Sequence, residues 1–459
     1  MFQVESGLAG RYCDGIQRRH FLQIGVAGMA SAGLGCVLRA ASDGDPNRAP
    51  AKDTSVILLW LDGGPSHMDL YDLKPEAPGE YRGIWRPIKT NVPGIEISEL
   101  FPLQAKIADR FSIVRSLYHD DGDHFGGAHR ILTGRSGANG GDTSPKYPGI
   151  SAIAAKVCGP RQPGIPAHIA VPYSSTVGIR PGYFGGNYLG RAHGPFETGG
   201  SPNADDYRVA DVQPPGNLTL NRLEDRRNLR LELDRLQRRA DVSGMMETMD
   251  RFDQRAYDLV TGRKARQAFE LGNEDPAIRD LYGRNDWGQS ALLAARLVEA
   301  GSTFVTVHLG GWDHHWNLEQ GMKDYLPRVD AAIYGLFTDL SRRGLYDKTL
   351  VVVCGEFSRT PKMNDGGNGG PPLSQGTPGR DHWGHAMFCL LGGGGIQGGR
   401  IVGATDRLGE RPSERPVTPH DIHQTIYHVL GVDPASTFLN HAGRPIPAVD
   451  GGAVIRELL

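Results

Sequence analysis

Uncharged apolar runs alternate with stretches of helical spacing along most of this chain. Ser55-Val56-Ile57-Leu58-Leu59-Trp60-Leu61 is apolar almost throughout, as expected of a strand covered on both faces in a parallel sheet. Asp62-Gly63-Gly64-Pro65 ends it. Phe111–Leu117 predicts a second, weaker strand. Ser290–Ala300 predicts a helix closed by Gly301. A strand over Thr303–Leu309 follows and runs into GGWDHH. Tyr325, Leu326, Val329, Ile333, Leu336, Phe337 and Leu340 repeat at helical spacing. Leu350–Cys354 predicts another strand, ended by Gly355-Glu356-Phe357-Ser358-Arg359. Strands alternating with helices predict an α/β fold: a three-layer sandwich whose central, mostly parallel sheet carries helices on both faces.

Other segments are less regular. Residues 136–216 are dense in Gly and Pro and predict surface loops, with a short strand around Ile169-Ala170-Val171. From Leu218 to about Arg239 leucines recur among charges, which predicts a solvated helix with Asp234 and Arg238 as an i,i+4 pair. Together these form a loop-rich and helical insertion around 136–285 within a domain spanning 54–459. Upstream, Arg18-Arg19-His20-Phe21-Leu22 precedes Ile24–Leu38, an uncharged run of about fifteen residues rich in Gly and Ala. A membrane span needs roughly twenty. Residues 1–41 are therefore expected to be a twin-arginine-type export signal, with 42–53 as a linker. The implied partner is the twin-arginine translocase, and the implied location is the periplasm or another extracytoplasmic space, with no stable membrane span in the mature form. Gly33-Leu34-Gly35-Cys36 is a poor lipoprotein box, which leaves lipidation at Cys36 as an open alternative.

Composition adds exclusions. The 459 residues are 39% hydrophobic and 22% charged, with a formal net charge of −2. No basic tract suggests a nucleic-acid partner. The 63 glycines and 31 prolines imply long shaped loops, which often carry sites on a rigid scaffold. After the signal only Cys158, Cys354 and Cys389 remain, in apolar surroundings that predict buried free thiols.

The chemistry concentrates behind the strands. Asp62, the stretch HDDGDHFGGAH over 119–129, Asp313 with His315, and Glu356 each directly follow a predicted strand. In open α/β sheets ligands bind at the carboxyl ends of strands. His382 and His385, three apart in GRDHWGH, supply further imidazoles. Asp, Glu and His without Cys form the donor set of a divalent metal, one or two ions of Zn, Mn, Ca or Mg. Asp313 and His315 can face one way in an extended segment, leaving His314 turned elsewhere. Two ions roughly 3.5–4 Å apart would clamp both oxygens of a phosphoryl or sulfuryl transfer. Arg359 offers a donor fork for a tetrahedral oxyanion, with a plain ion pair as the alternative. Ser66 in DGGPSH does not match G-x-S-x-G and reads as a turn residue.

The order strand-Asp, Leu-Thr-Gly, Gly-Trp-Asp-x-His, Gly-Glu-Phe-x-Arg-Thr-Pro and Gly-Arg-Asp-His-Trp-x-His resembles the bacterial "domain of unknown function 1501" family over nearly all of residues 54–440. That family in turn resembles the alkaline phosphatase/sulfatase superfamily. The resemblance implies an alkaline phosphatase-like fold with one or two metals at the strand ends. It matches Asp62 to the first-strand metal aspartate and Asp313 and His315 to an Asp…His pair. Glu356 stands where an Asp-His pair is usual, and His382 or His385 supplies the late histidine. The place of the relatives' nucleophile, nine residues before the Thr of Leu-Thr-Gly, is held here by His124. An imidazole there is expected to be a metal ligand with His129 beside it, or else a nucleophile itself.

The expected function is an exported metal-dependent hydrolase of phosphate or sulfate esters, acting on a small-molecule or glycan ester with His124 and Arg359 as catalytic groups. The alternative is a non-catalytic metal- or anionic-glycan-binding protein on the same scaffold. The segment Asn364–Arg380 reads as a lid or as a plain surface loop.

Overall fold

The computed structural model describes residues 53–209, 225, 259, 262–365 and 377–459. The expected export signal with Cys36, nearly all of the linker and of the 218–239 helix, and the middle of Asn364–Arg380 lie outside the described residues.

One sheet organises the chain. Its strands are β1 (Ser55–Asp62), β2 (Ser112–Leu117), β3 (His168–Val171), β4 (Phe196–Glu197), β5 (Phe304–Gly310), β6 (Thr349–Cys354), β7 (Met387–Gly392) and β8 (Ile401–Val402). They lie in the order β8-β2-β7-β6-β1-β5-β3-β4. All neighbours are parallel except that β7 runs against both β2 and β6. The apolar run after Thr54 is thus central β1, buried at every position.

Alternation along β1 explains the two covering layers. Successive side chains of a strand point to opposite faces. Ile57, Leu59 and Leu61 enter one core, together with α3 (Asp286–Glu299) and α4 (Leu318–Arg342). Val56, Leu58 and Trp60 enter the other, with α1 (His124–Thr133), α2 (Ile150–Cys158) and α5 (Pro419–Leu430). The result is the expected three-layer α/β sandwich around a mixed, mostly parallel sheet.

Several local expectations change. The stretch 124–133, expected as loop, is helix α1. Asp123 caps it by accepting from the N–H groups of Phe125 and Gly126, and Gly134 ends it at φ 73°. Its buried apolar stripe, Ala128, Ile131 and Leu132, is masked in sequence by histidines and two glycines. Helix α2 lies within the segment read as loops, its small residues carrying a weak periodic signal. Helix α3 begins at Asp286 rather than Ser290 because Asn285 caps Trp287 and Gly288. Helix α4 extends back to Leu318. Strand β7 was not expected, since an antiparallel return breaks the strand–helix alternation. Cys354 and Cys389 are buried free thiols as expected, whereas Cys158 is only half-buried.

Leu59 is fully buried at the centre of β1. Leu59→Ala should cost about 2–5 kcal/mol through lost transfer energy and a residual cavity. Denaturant unfolding measures this, and a loss under ~1 kcal/mol would contradict a close-packed sheet–helix layer.

Candidate metal centre

Three adjacent parallel strands bring the chemistry to one edge. Asp62 is opposite Gly310, and Trp60 is opposite Cys354, so β1, β5 and β6 end together. Asp313 and Glu356 follow within a few residues. The chain beyond β5 folds tightly over that beyond β1: Gly311 and Trp312 both donate N–H to the Asp62 carbonyl at 3.1 Å. Gly63 fills the crossing at φ 114°, where a Cβ would stand 2.7 Å from the Asp313 nitrogen. Only glycine fits such an approach without strain.

Four side chains converge beyond this crossing. Asp313 Oδ1 lies 3.1 Å from His315 Nε2 and 3.3 Å from His382 Nε2, while Oδ2 lies 3.3 Å from His124 Nε2. The far side of each imidazole is held. His124 Nδ1 donates to Glu356 Oε1 at 2.7 Å, His315 Nδ1 to Asp381 Oδ1 at 2.8 Å, and His382 Nδ1 to the Gly122 carbonyl at 2.8 Å. In the neutral rings these contacts select the tautomer in which Nε2 carries the lone pair. Carboxylate or carbonyl support behind a histidine is the usual outer arrangement of a metal ligand. Arg359 Nη2 donates to Asp313 Oδ1 at 2.6 Å and fixes the carboxylate from behind.

Charge is concentrated here. Burial works against a charged His124, but the carboxylates of Asp313 and Glu356 beside the ring outweigh it and push its pKa up to about 9. Burial likewise opposes ionisation of Asp313, yet His124, His315, His382 and Arg359 hold its carboxyl far below the usual range. Asp313 raises His315 against the effect of burial, with Asp381 helping. Burial lowers His382, opposed by Asp313. Glu356 is fully buried, and burial together with the negative charge of Asp62 raises its pKa while His124 pulls it down.

Asp62 stands beside this group, 3% exposed. Its Oδ2 accepts from Val177 N at 2.8 Å and meets His308 Nε2 at 2.9 Å. Its Oδ1 is buried and has no protein partner. Gly63 N donates to Glu356 Oε1 at 2.9 Å, which ties the Asp62 segment to the carboxylate that holds His124.

The donor set fits a divalent cation. His315 Nε2 and His382 Nε2 are 2.9 Å apart. Two lone pairs at that distance repel unless a cation, proton or metal, lies against both. The buried His124 Nε2 has no well-directed hydrogen bond. Its ring nitrogen, a carboxylate oxygen of Asp313 and Nε2 of His382 lie within 4.8 Å of one another. Three imidazoles and a carboxylate suit zinc or manganese better than calcium or magnesium.

Of the residues expected from the sequence, His124, Asp313, His315 and His382 meet directly. Glu356 and Arg359 brace them, and Asp62 lies alongside. His129 does not join. It is buried on α1, with Nδ1 on the Arg135 carbonyl at 2.7 Å and Nε2 accepting from Lys146 N at 3.2 Å. Its position five residues on from His124 in a helix, not a loop, turns it away. His385 stacks edge-on against Trp383 and also stays out. The Arg359 guanidinium is fully buried, with donors on Gly63, Gly64 and Arg380 carbonyls as well as Asp313. Ser66 Oγ donates to Asp69, in keeping with a turn role. Asp381, His308 and the Gly122 carbonyl were not singled out in the sequence. Asp381 adjoins His382 in the same motif, and His308 lies near the end of a strand, so position alone offered a signal for both.

The family model described as "Protein of unknown function (DUF1501)" matches residues 53–459. No curated protein matches the sequence. Among solved structures, the chain is similar to the phosphonate monoester hydrolase of Agrobacterium radiobacter, at 13% identity and a TM-score of 0.38, covering 88% of this chain and 77% of that one. It is also similar to the lipoteichoic acid synthase LtaP from Listeria monocytogenes, at 9% identity and 0.38, covering 85% and 75%. A protein of the alkaline phosphatase superfamily from Vibrio parahaemolyticus matches at 11% and 0.38, covering 84% and 68%.

Two outcomes follow. Asp381→Asn removes the carboxylate behind His315 and should weaken zinc affinity on the order of 10–100-fold, read by competition with a chromophoric chelator. Zinc affinity should also rise with pH up to about 9, where the His124 proton no longer competes. A pH-independent affinity would exclude His124 from the ligand set.

Proposed function

The chain belongs to the DUF1501 family, and on that premise we propose that it is an exported, metal-dependent hydrolase of phosphate or sulfate esters. The observation that carries this reading is the convergence of three imidazole Nε2 atoms on Asp313, each ring held from behind. When bound, a divalent cation supplies Lewis-acid polarisation of an ester oxygen and a lowered pKa for water. His124, His315, His382 and Asp313 would hold it, and Asp62, with a free buried oxygen beside Glu356, suits a second ion.

The chain's own residues set the geometry. Glu356 keeps the His124 proton on Nδ1, so the ring turns its lone pair toward Asp313; this favours a ligand role for His124 over that of a nucleophile. Arg359 serves as the brace of Asp313, since its remaining donors are committed to backbone carbonyls. It thereby keeps a half-exposed carboxylate aimed at the group without the freedom to follow a departing substrate oxygen. The substrate is a small-molecule or glycan ester. Export through the twin-arginine translocase rests on Arg18-Arg19 and the short uncharged run after them. Among the described residues no helix is long and apolar enough to cross a membrane.

A second reading has its own support. An imidazole stands where the relatives' nucleophile is expected, and the one nearby guanidinium among the residues bonded to Asp313 is turned inward. Both suit a protein that binds metal or an anionic glycan without turning it over.

Elemental mass spectrometry of the purified chain decides between them together with an ester screen. Stoichiometric zinc, manganese, calcium or magnesium is expected, lost in both His124→Ala and Asp313→Ala, with affinity lowered at least ~100-fold. Hydrolysis of 4-nitrophenyl phosphate or sulfate should stop on chelation and return with metal. Metal kept in His124→Ala but lost in Asp313→Ala would remove His124 from the ligand set and leave its nucleophile role open. Metal without any ester hydrolysis favours the second reading. No metal after reconstitution would sink the hydrolase reading and leave only an anionic-glycan-binding protein on the same scaffold.

A further inference from the structure

Beside the turn after β3, three side chains in ring contact lead from the candidate metal centre to solvent. His308, whose Nε2 meets Asp62, has its ring centroid 5.3 Å from that of Tyr173. The Arg180 guanidinium carbon lies 4.9 Å from the Tyr173 centroid in turn. A row of imidazole, phenol and guanidinium therefore starts at a buried carboxylate and ends in water.

The turn that carries this row is fastened at three points. Thr176 and Ile179 exchange backbone hydrogen bonds across its tip. Val177 donates N–H to Asp62 Oδ2 from φ 42°. That conformation is costly for a β-branched residue and persists only where the surroundings impose it. Glu197, at the end of β4, clamps both flanks. Its Oε1 accepts from Ser174 N at 3.0 Å and Ser174 Oγ at 2.7 Å, and its Oε2 accepts from Arg180 Nη1 at 2.7 Å.

Arg180 is consequently an ordered cation at the surface. Its side chain is 59% exposed, yet one donor is spent on Glu197 and its guanidinium carbon lies over the Tyr173 ring. Among the described residues Nε and Nη2 meet no partner. A surface arginine ordinarily loses much side-chain freedom when it grips a ligand. Here the ring contact and the clamp have already removed that freedom, which is the condition for selective binding of an oxyanion.

We propose that Arg180 is a specificity-determining residue that binds a second anionic group of the substrate, at the solvent end of the His308–Tyr173–Arg180 row. The substrate class is then an ester whose alcohol part carries a further carboxylate, phosphate or sulfate, as in an anionic sugar. This rests on the ester-hydrolase reading of the metal centre.

The test compares two anions on the zinc-loaded full chain by calorimetry: inorganic phosphate, and glucose 1,6-bisphosphate as a probe with a second phosphate one sugar ring away. The bisphosphate should bind on the order of tenfold more tightly. Arg180→Gln should abolish the preference, the two anions binding alike apart from the statistical twofold, and Arg180→Lys should restore part of it. A preference that survives in Arg180→Gln, or that the unaltered chain never shows, overturns the proposal and leaves ester hydrolysis standing. Failure of both anions to bind zinc-loaded protein overturns both. A preference that depends on Arg180 in a protein that hydrolyses no ester keeps the anion contact and removes the catalysis.

Discussion

Glu356 is the residue on which the strand-end edge depends. Its carboxylate is completely buried, and a buried charge without partners is far too costly to persist. It is satisfied from two directions: the Gly63 amide of the segment after β1, and Nδ1 of His124 at the start of α1. His119 Nε2 meets the carbonyl of the same residue at 2.6 Å. The β1 segment, the β6 segment and helix α1 are thereby locked together at one place. His124 owes its orientation to this lock, and Asp313, His315 and His382 are arranged around the ring that it presents.

A second buried pair secures the other flank. Arg380 is fully buried, with Nε on Asp69 Oδ2 at 2.9 Å and its remaining donors on the Arg82, Thr360 and Pro361 carbonyls. Asp381 and His382 follow it directly. The position of two participants is thus set by an ion pair that cannot reach substrate. Breaking such a pair by removing one partner typically costs 3–5 kcal/mol, so substitutions at Asp69 or Arg380 would damage the site from outside it.

The sheet was legible because β1 and β6 are buried throughout and read as apolar runs, and β5 as a largely buried run broken only by Thr306 and His308. The convergence of Asp62, Asp313 and Glu356 was legible for the same reason: parallel strands must end on one side. What escaped reading had a common cause. Helix α1 hides its apolar stripe behind the residues that serve the site, so His129 seemed adjacent to His124 when helical geometry separates them. The roles of Asp381, His308 and the Gly122 carbonyl depend on partners far away in the chain, which no local spacing encodes. Arg359 was visible as a cation, but whether its donors face outward or into carbonyls is a matter of packing.

The distances along the chain have a consequence for how an ion is acquired. His124 and Glu356 are 232 residues apart, and His382 is 69 residues from Asp313. No two-ligand chelate short enough to capture metal in the unfolded chain includes His124. Closing such long loops is slow, and non-local contacts form late. Asp313 and His315, two residues apart, offer a local chelate before folding, but the full set of four comes together only on folding, so the supply of ions in the compartment where folding finishes would bear on which metal such a site takes. A chain exported folded, as the twin-arginine reading requires, would meet that choice in the cytoplasm and carry its result across the membrane.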